Sequence, residues 1–287
     1  MRCAVLGDPI AHSLSPVLHR AAYAELGLDW TYDAVRVPAG GLADFLTGLD
    51  DTWRGLSLTM PLKRELMGLA DEVTDRATLV GAANTLVLGG AGGTGGRLAD
   101  NTDLPGAVAA VRERHAGPVT TGAVLGGGAT AASTGLALCD LGAERLTLHV
   151  RSAARGAEAA EAVRRHPAAP EVVLASLDDA PVADVVVSTI PAAAQTDVLV
   201  DGCRGVPVVF EVVYDPWPTP LAASVLDDRT GAGRVLVAGL DLLVHQAALQ
   251  VELFTGRLPS VAAMRAAGEA ALRRATGSAT GSGTGAG

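Results

Sequence analysis

The chemistry in this chain is easiest to locate at Val124-Leu125-Gly126-Gly127-Gly128-Ala129-Thr130-Ala131. A short apolar run precedes three glycines, and an Ala-rich helical pattern follows them. Gly126 allows a tight turn, Gly128 lets a pyrophosphate approach the backbone, and Ala131 takes the third small position at the helix–strand contact. The N–H groups that open the helix then face the phosphates. The next apolar run ends in His149-Val150-Arg151-Ser152, with Arg155 one turn on. An NAD site commonly places an acid there to bind the ribose 2′-hydroxyl. Two guanidiniums suit a 2′-phosphate instead, through charge-assisted hydrogen bonds, so the expected cofactor is NADP.

The elements around this loop have βαβ texture. Strands are expected at 123–125, 145–150, 171–175, 184–189, 206–213 and 234–237, separated by helical stretches. That pattern predicts a parallel sheet with helices on both faces. The first hundred residues read differently. Three segments there share a strand or turn, a small polar residue, a proline and then a helix: Ser13-Leu-Ser15-Pro16, Thr59-Met-Pro61-Leu-Lys63 and Asn101-Thr-Asp103-Leu-Pro105. Ser15 is a good N-cap, Pro16 suits the first helical position, and Gly27 closes the helix. Gly81 to Leu88 reads as a turn entering a strand, and Gly89 to Gly96 as a hairpin turn. The prediction is an α/β chain with an N-terminal α/β substrate domain (1–103) and a Rossmann-type doubly wound NADP domain (104–238). Helices over 239–275 return to the first domain, and 276–287 form a disordered tail of Gly, Ser, Thr and Ala.

Bulk properties narrow the function classes. The net charge is −9, with a pI near 5.1, and this disfavours general binding to nucleic acid or an anionic membrane. Cys3, Cys139 and Cys203 are odd in number and far apart, which suggests reduced thiols in a cytoplasmic protein rather than a disulfide framework or a zinc site. Nothing at the start reads as a signal peptide, because Asp8 and His12 interrupt the first apolar stretch. The uncharged run from Thr120 to Asp140 is too rich in small and hydroxyl residues for a membrane span. His12, His19 and His245 lack metal-ligand spacing, so they are assigned to packing or hydrogen bonding, and no metal is expected.

Seven motifs, in order, make the chain resemble the shikimate dehydrogenase family over residues 3 to about 256. They are Gly7-Asp-Pro-Ile-Ala-His12-Ser13-Leu-Ser15-Pro16, Thr59-Met-Pro61-Leu-Lys63, Gly81-Ala-Ala-Asn84-Thr85, and Asn101-Thr102-Asp103-Leu-Pro-Gly106. The glycine loop with its two arginines, Tyr214-Asp-Pro216-Trp-Pro-Thr219-Pro220 and Gly239-Leu-Asp-Leu-Leu-Val-His-Gln246 complete the series. The resemblance implies reversible reduction of 3-dehydroshikimate to shikimate with NADPH, a step of chorismate and aromatic amino-acid biosynthesis. It implies that Ser13 and Ser15 hold the substrate carboxylate and that Thr59, Asn84 and Gln246 read the ring hydroxyls. Tyr214 lines or closes the cleft, and Lys63 with Asp103 forms the catalytic pair. The cofactor set is Gly126, Gly127, Gly128, Ala129, Arg151, Arg155 and Gly239. The partner is a small molecule, and the protein is a monomer or homodimer.

The residue types agree with these roles, each beside a plainer alternative. Ser13 and Ser15 precede a helix, where anions bind, although Ser15 also suits a simple cap. Lys63 is expected in the first turn of a helix, where a cation opposes the dipole; a solvated surface lysine is the alternative. Asp103 orients Lys63 or else caps the helix before Pro105. Gln246 either meets a substrate hydroxyl or lies on a polar helix face. Departures from the family pattern fall at Arg20 and Ser57, where asparagine is usual, and at Val150, Ser188, Asp241 and Leu242. They leave the proposed catalytic and carboxylate-binding residues in place and bear on the choice of substrate. Other readings are a quinate/shikimate dehydrogenase with broader substrate or NAD use, a non-catalytic NADP-binding regulator, and a folate-type dehydrogenase. The serine pair fits a small carboxylate better than the last.

Overall fold

The computed structural model describes residues 1–89, 95–227 and 233–279, with side chains to residue 274. The first half contributes β1 (Arg2–Gly7), α1 (Ser15–Glu25), β2 (Thr31–Arg36), α2 (Leu42–Thr47), β3 (Trp53–Leu58), β4 (Glu72–Val73), α3 (Asp75–Val80), β5 (Thr85–Leu88) and β6 (Arg97–Asp100). These strands form a mixed sheet in the order β2-β1-β3-β5-β6-β4. The strands β1, β2 and β3 run parallel, while β5 is antiparallel to both β3 and β6. The register Leu88↔Arg97 makes β5–β6 the expected hairpin, with 90–94 of its turn outside the described residues.

The second half runs through α4 (Asp103–Arg114), β7 (Thr121–Leu125), α5 (Ala129–Asp140), β8 (Arg145–Val150), α6 (Ala153–Arg164), β9 (Glu171–Ser176), β10 (Val185–Ser188), α7 (Asp197–Gly202), β11 (Val208–Glu211), α8 (Pro220–Leu226) and β12 (Val235–Ala238). Its strands form an all-parallel sheet, β12-β11-β10-β7-β8-β9. Counted from β7 this is the 3-2-1-4-5-6 order of a dinucleotide-binding sheet, whose switch point lies between β7 and β10. Both faces are covered. Val185 and Val187 enter the core shared with α4, α5 and α6, whereas Val186 enters the core under α7 and α8. Alternation of this kind, apolar on both sides, is what a buried parallel strand requires.

The last helices, α9 (Gly239–Thr255) and α10 (Val261–Ala279), pack on the first sheet. Val244, Ala247, Val251, Phe254 and Met264 share one core with Cys3, Val5, Leu18, Tyr23 and Tyr32. Two expectations need correction here. The helix α10 continues through 276–279, where a disordered tail was expected; 280–287 lie outside the described residues. No α-helix follows Pro61. Residues 60–64 form turns that lead into a single 3-10 turn, Glu65–Gly68. The carbonyl of Lys63 is taken by the Ala83 N–H at 2.8 Å, which diverts the ladder an α-helix would need. The helix-dipole argument for Lys63 goes with it.

Asp241 explains one departure from the family pattern. Its carboxylate is 1 % exposed. It accepts from Arg114 Nη2 at 2.8 Å and Nε at 3.2 Å, from the Ala238 N–H at 2.9 Å, and from Arg265. Burial alone would raise the carboxyl's pKa, but these donors outweigh it and hold the group below the ordinary carboxylate range. One acid thus ties α4, the start of α9 and α10 together. Asp241→Ala leaves Arg265 without that partner and should cost roughly 3 kcal/mol, as breaking a buried pair does; urea unfolding measures it. The folded pKa lies below the unfolded one, about 3.9. The wild-type contribution is therefore complete above that value and is lost as pH falls through the folded pKa. The stability gap between wild type and variant should close on acidification.

Candidate active site

A cleft of about 500 Å³ opens between the carboxyl ends of the first sheet and the elements facing it, with Ser13, Ser15, Thr59, Lys63, Asn84, Asp103, Tyr214, Gly239 and Gln246 all on its walls. A second cleft of about 560 Å³ adjoins it, lined by Gly126–Ala129, Arg151 and Arg155. The structure thus gathers every substrate-side and catalytic candidate in the first cleft, and Gly239 with them rather than with the other cofactor candidates. Thr59, Met60, Lys63, Thr130 and Thr189 line both clefts and mark their junction.

At that junction Lys63 Nζ donates to Asp103 Oδ2 at 2.5 Å, with side-chain exposures of 14 % and 9 %. Asp103 is the first residue of α4, after the N-cap Thr102, and its carboxylate accepts from Lys63 and Asn84 instead of capping the helix. Its other oxygen accepts from Asn84 Nδ2 at 2.8 Å. The same amide nitrogen lies 3.0 Å from Thr102 Oγ1 and 3.2 Å from Gln246 Oε1. Asn84 Oδ1 accepts from the Thr102 N–H and the Thr85 hydroxyl, each at 2.8 Å. One buried amide therefore connects the start of β5, the start of α4 and the middle of α9. Gln246 reaches the knot because Gly106 lets the helices cross closely: a Cβ at Gly106 would lie 2.9 Å from both the Cβ and the backbone nitrogen of Gln246.

At the other end of the cleft the capping part that Ser15 could have played falls to Ser13. Ser15 is the first residue of α1 and makes no capping bond. Ser13 Oγ instead accepts from the Ser15 N–H at 3.3 Å. The Tyr214 phenol closes this end. Burial raises its pKa, against hydrogen bonding to the Leu14 backbone and the Ser13 side chain. Beneath them lies buried His19, whose Nδ1 is 2.9 Å from the Ser15 carbonyl and whose ring stacks on Tyr32 at 3.9 Å. Burial lowers its pKa to about 4, so the ring is neutral at pH 7 and does not supply charge to an anion. His12 and His245 lie beside Asp215 and Glu113 respectively.

The second cleft suits a dinucleotide. Gly126 has φ +123°, and a Cβ there would lie 2.3 Å from Thr189 Oγ1. Gly127 is pressed on the carbonyl of Arg155, whereas a Cβ at Gly128 would meet nothing within 4 Å. The crowded pair makes the turn, and the third glycine faces open space. Gly128 also precedes α5 with no side-chain cap, so the first N–H groups of that helix are free for phosphates. Arg151 and Arg155 are exposed. Neither guanidinium has a hydrogen-bond or ion-pair partner among the described residues. The first turn of α6 contains no acid. This donor set fits NADP, including a phosphate on the adenosine ribose.

Sequence reasoning missed several lining residues. Gln250 is four residues after Gln246 and so shares its helix face, a signal that was available. Its Nε2 reaches Thr85 Oγ1 at 3.0 Å, and its Oε1 accepts from Ser57 Oγ at 2.8 Å. Ser57 in turn accepts from Tyr32 at 2.6 Å. Thr189 follows β10 directly, at the switch point. Glu211 is fully buried at the end of β11 and receives Gln195, Thr219 and the Val213 N–H at 2.6, 2.9 and 3.0 Å. Burial raises its pKa, the hydrogen bonds opposing; the group anchors the loop that carries Tyr214.

Comparison with known proteins gives relatives that are mainly shikimate dehydrogenases, with the quinate dehydrogenase of Corynebacterium glutamicum in complex with NAD also similar in structure (TM-score 0.81 at 25% identity, covering 94% of this chain and 99% of that one). Residues 5–86 match the family model for the shikimate dehydrogenase substrate binding domain. Residues 239–267 match that for the shikimate 5′-dehydrogenase C-terminal domain. The shikimate dehydrogenase (NADP(+)) of Methylobacterium radiotolerans is 37% identical over 91% of this chain and 93% of its own. The crystal structure of Mycobacterium tuberculosis shikimate dehydrogenase superposes with a TM-score of 0.82 at 39% identity, covering 94% of this chain and 99% of that one. The Thermus thermophilus shikimate 5-dehydrogenase in complex with NADP(H) and shikimate gives 0.80 at 28% identity, covering 94% and 99%.

The helix crossing at Gly106 offers a direct test of how the cleft is built. Gly106→Ala places a methyl group against Gln246 and should destabilise the fold by about 1–3 kcal/mol, as overpacking does. Urea denaturation reads the loss, and Gly106→Ser should cost at least as much.

Proposed function

The chain belongs to the shikimate dehydrogenase family, and from that premise we propose that it catalyses the reversible, NADP-dependent interconversion of 3-dehydroshikimate and shikimate in the route to chorismate and the aromatic amino acids. The observation that carries the reading is the Lys63–Asp103 pair, lodged where the two clefts meet. A carbonyl reduction needs a hydride donor on one side of the carbon and a proton source at the oxygen. The arrangement supplies a place for each.

Bound NADPH supplies the hydride. The backbone of Gly126–Ala129 and the start of α5 hold its pyrophosphate, and Arg151 and Arg155 hold the 2′-phosphate. Ser13 and Ser15 bind the substrate carboxylate, with Tyr214 closing over them. Thr59, Asn84 and Gln246 read the ring hydroxyls, Asn84 and Gln246 giving up the contact they share for ones to the substrate. Lys63 gives the proton to the forming alkoxide and recovers it in the reverse direction, and Asp103 fixes the ammonium in place. Asn84 in turn fixes Asp103, so the proton-bearing group is oriented by a buried amide and not by solvent. Residues 1–103 with the helices of 239–275 serve the substrate, and 104–238 the cofactor. Gly239, whose Cβ would lie 2.4 Å from the Val212 carbonyl, brings α9 against that junction. Among the described residues no helix is long and apolar enough to cross a membrane, and the reading places the enzyme in the cytoplasm as a monomer or homodimer.

The deciding assay follows absorbance at 340 nm with shikimate or quinate, each with NADP or NAD. Turnover with shikimate and NADP, and at least tenfold less with NAD, is the expected result; turnover of quinate with NAD in preference to shikimate with NADP overturns the assignment. Lys63→Ala should lower kcat by about 10²–10⁴-fold, the usual contribution of a positioned acid–base group, with NADP affinity within twofold of wild type. Unchanged turnover removes Lys63 from its role.

A further inference from the structure

The cofactor cleft has one wall that does not come from the glycine loop or α6. Arg64, next to Lys63 in the turn after β3, lines it. Its Nη2 lies 2.5 Å from Glu158 Oε2 on α6. The contact joins a residue of the first sheet's periphery, on the wall of the cleft, to a helix of the second sheet. Side-chain exposures of 47 % and 70 % mean that the pair contributes little to stability, so its consequence is to be sought in the charge it sets.

That charge bears on the two arginines. Glu158 follows Arg155 by three residues on the same helix, a spacing at which side chains are neighbours. Left alone, its carboxylate would draw the Arg155 guanidinium to itself and repel a phosphate dianion bound between Arg151 and Arg155. With Arg64 on Glu158, the structure instead leaves Arg151 and Arg155 without partners among the described residues. Sequence inspection finds the two arginines but not this acid or its neutraliser, because Arg64 lies 94 residues from Glu158 in the chain.

We propose that Arg64 selects for the phosphorylated cofactor indirectly, by neutralising Glu158 from the cleft wall and so keeping Arg151 and Arg155 available to the 2′-phosphate. This rests on the NADP-dependent reading above. Arg64 is then a positioning residue. The choice between NADP and NAD is shared between the two halves of the molecule, and the half that holds Lys63 takes part in it.

Calorimetric titration of the purified protein with NADP and with NAD tests the proposal without reference to turnover. In Arg64→Gln the dissociation constant for NADP should rise about tenfold, a change of the size expected for one nearby charge at a surface. That for NAD should stay within twofold. Adding Glu158→Gln to that variant should restore NADP binding to within threefold of wild type. The Arg64→Gln effect should shrink in 0.5 M salt, where charges are screened over about 4 Å. An unchanged NADP-to-NAD ratio in Arg64→Gln overturns the proposal. So does a double variant that stays as weak as the single one, which would make Arg64 a direct phosphate ligand. Arg151→Ala separates this proposal from its premise. A wild type that prefers NADP, and loses the preference in Arg151→Ala but not in Arg64→Gln, refutes only the role of Arg64. A wild type with no preference for NADP refutes both.

Discussion

The side chain of Asn84 carries the constraint on which the rest of the site depends. It is 2 % exposed, and a buried amide must find partners for two donors and an oxygen with two lone pairs. It finds them in Thr102, Asp103, Gln246 and Thr85. Those residues come from the end of the hairpin, the start of α4 and the middle of α9, elements up to 162 positions apart in the chain. The elements cannot drift without leaving a polar group unpaired in a low-dielectric interior, which costs about 1–3 kcal/mol each time. The position of Asp103, and through it the Lys63 ammonium, follows from that requirement. Rigidity here comes from polar satisfaction, while the apolar cores on either side set the layers.

The two sheets need different things from their sequences, and this decides where the clefts form. The second sheet is parallel throughout, so its loops of like kind gather at one end, and the crevice falls between β7 and β10 where the winding reverses. Gly126 and Thr189 lie there in contact. The first sheet ends its parallel run at β3 and returns through an antiparallel hairpin. That return puts Asn84 and Asp103 beside the loop after β3, which carries Thr59 and Lys63. The segment from Asp103 to Arg114 then packs on α5 and α9 together. A helix shared in this way sets the distance between the Lys63–Asp103 pair and the glycine loop.

Much of this was legible in the chain because short-range patterns report it. The parallel strands announce themselves as apolar runs between Ala-rich helices, and the glycine loop has the context that gives such a motif weight. The misreadings fall where one local pattern gives way to another hydrogen-bond partner or to a longer helix. The segment after Pro61 has helical composition, but its Lys63 carbonyl is taken by Ala83 from another part of the fold. Ser15 has the features of a cap, yet Ser13 accepts the local N–H. The final stretch of Gly, Ser, Thr and Ala looks structureless, and α10 nonetheless continues to Ala279. After Pro61 it is a tertiary contact that overrules a local preference worth about 1 kcal/mol or less; at Ser13 and Ser15 two local patterns compete and the other one is realised.

Two departures from the family pattern are absorbed by their neighbours, which is why the Lys63–Asp103 pair is undisturbed by them. Ser57 is smaller than the asparagine usual there, which alone would leave a polar gap in the cleft floor. Tyr32 donates into its hydroxyl and Gln250 receives from it, so both the volume and the hydrogen bonds are taken up by neighbours that are themselves buried. Asp241 introduces a charge into an apolar helix start, and Arg114 and Arg265 enclose it. Neither change shares a hydrogen bond with Lys63 or Asp103. Substitutions whose partners lie behind the cleft alter its walls and its stability, and leave the proton-bearing pair in the same geometry. The Lys63–Asp103 contact is held by Asn84, and Asn84 is held by groups that none of these changes removes.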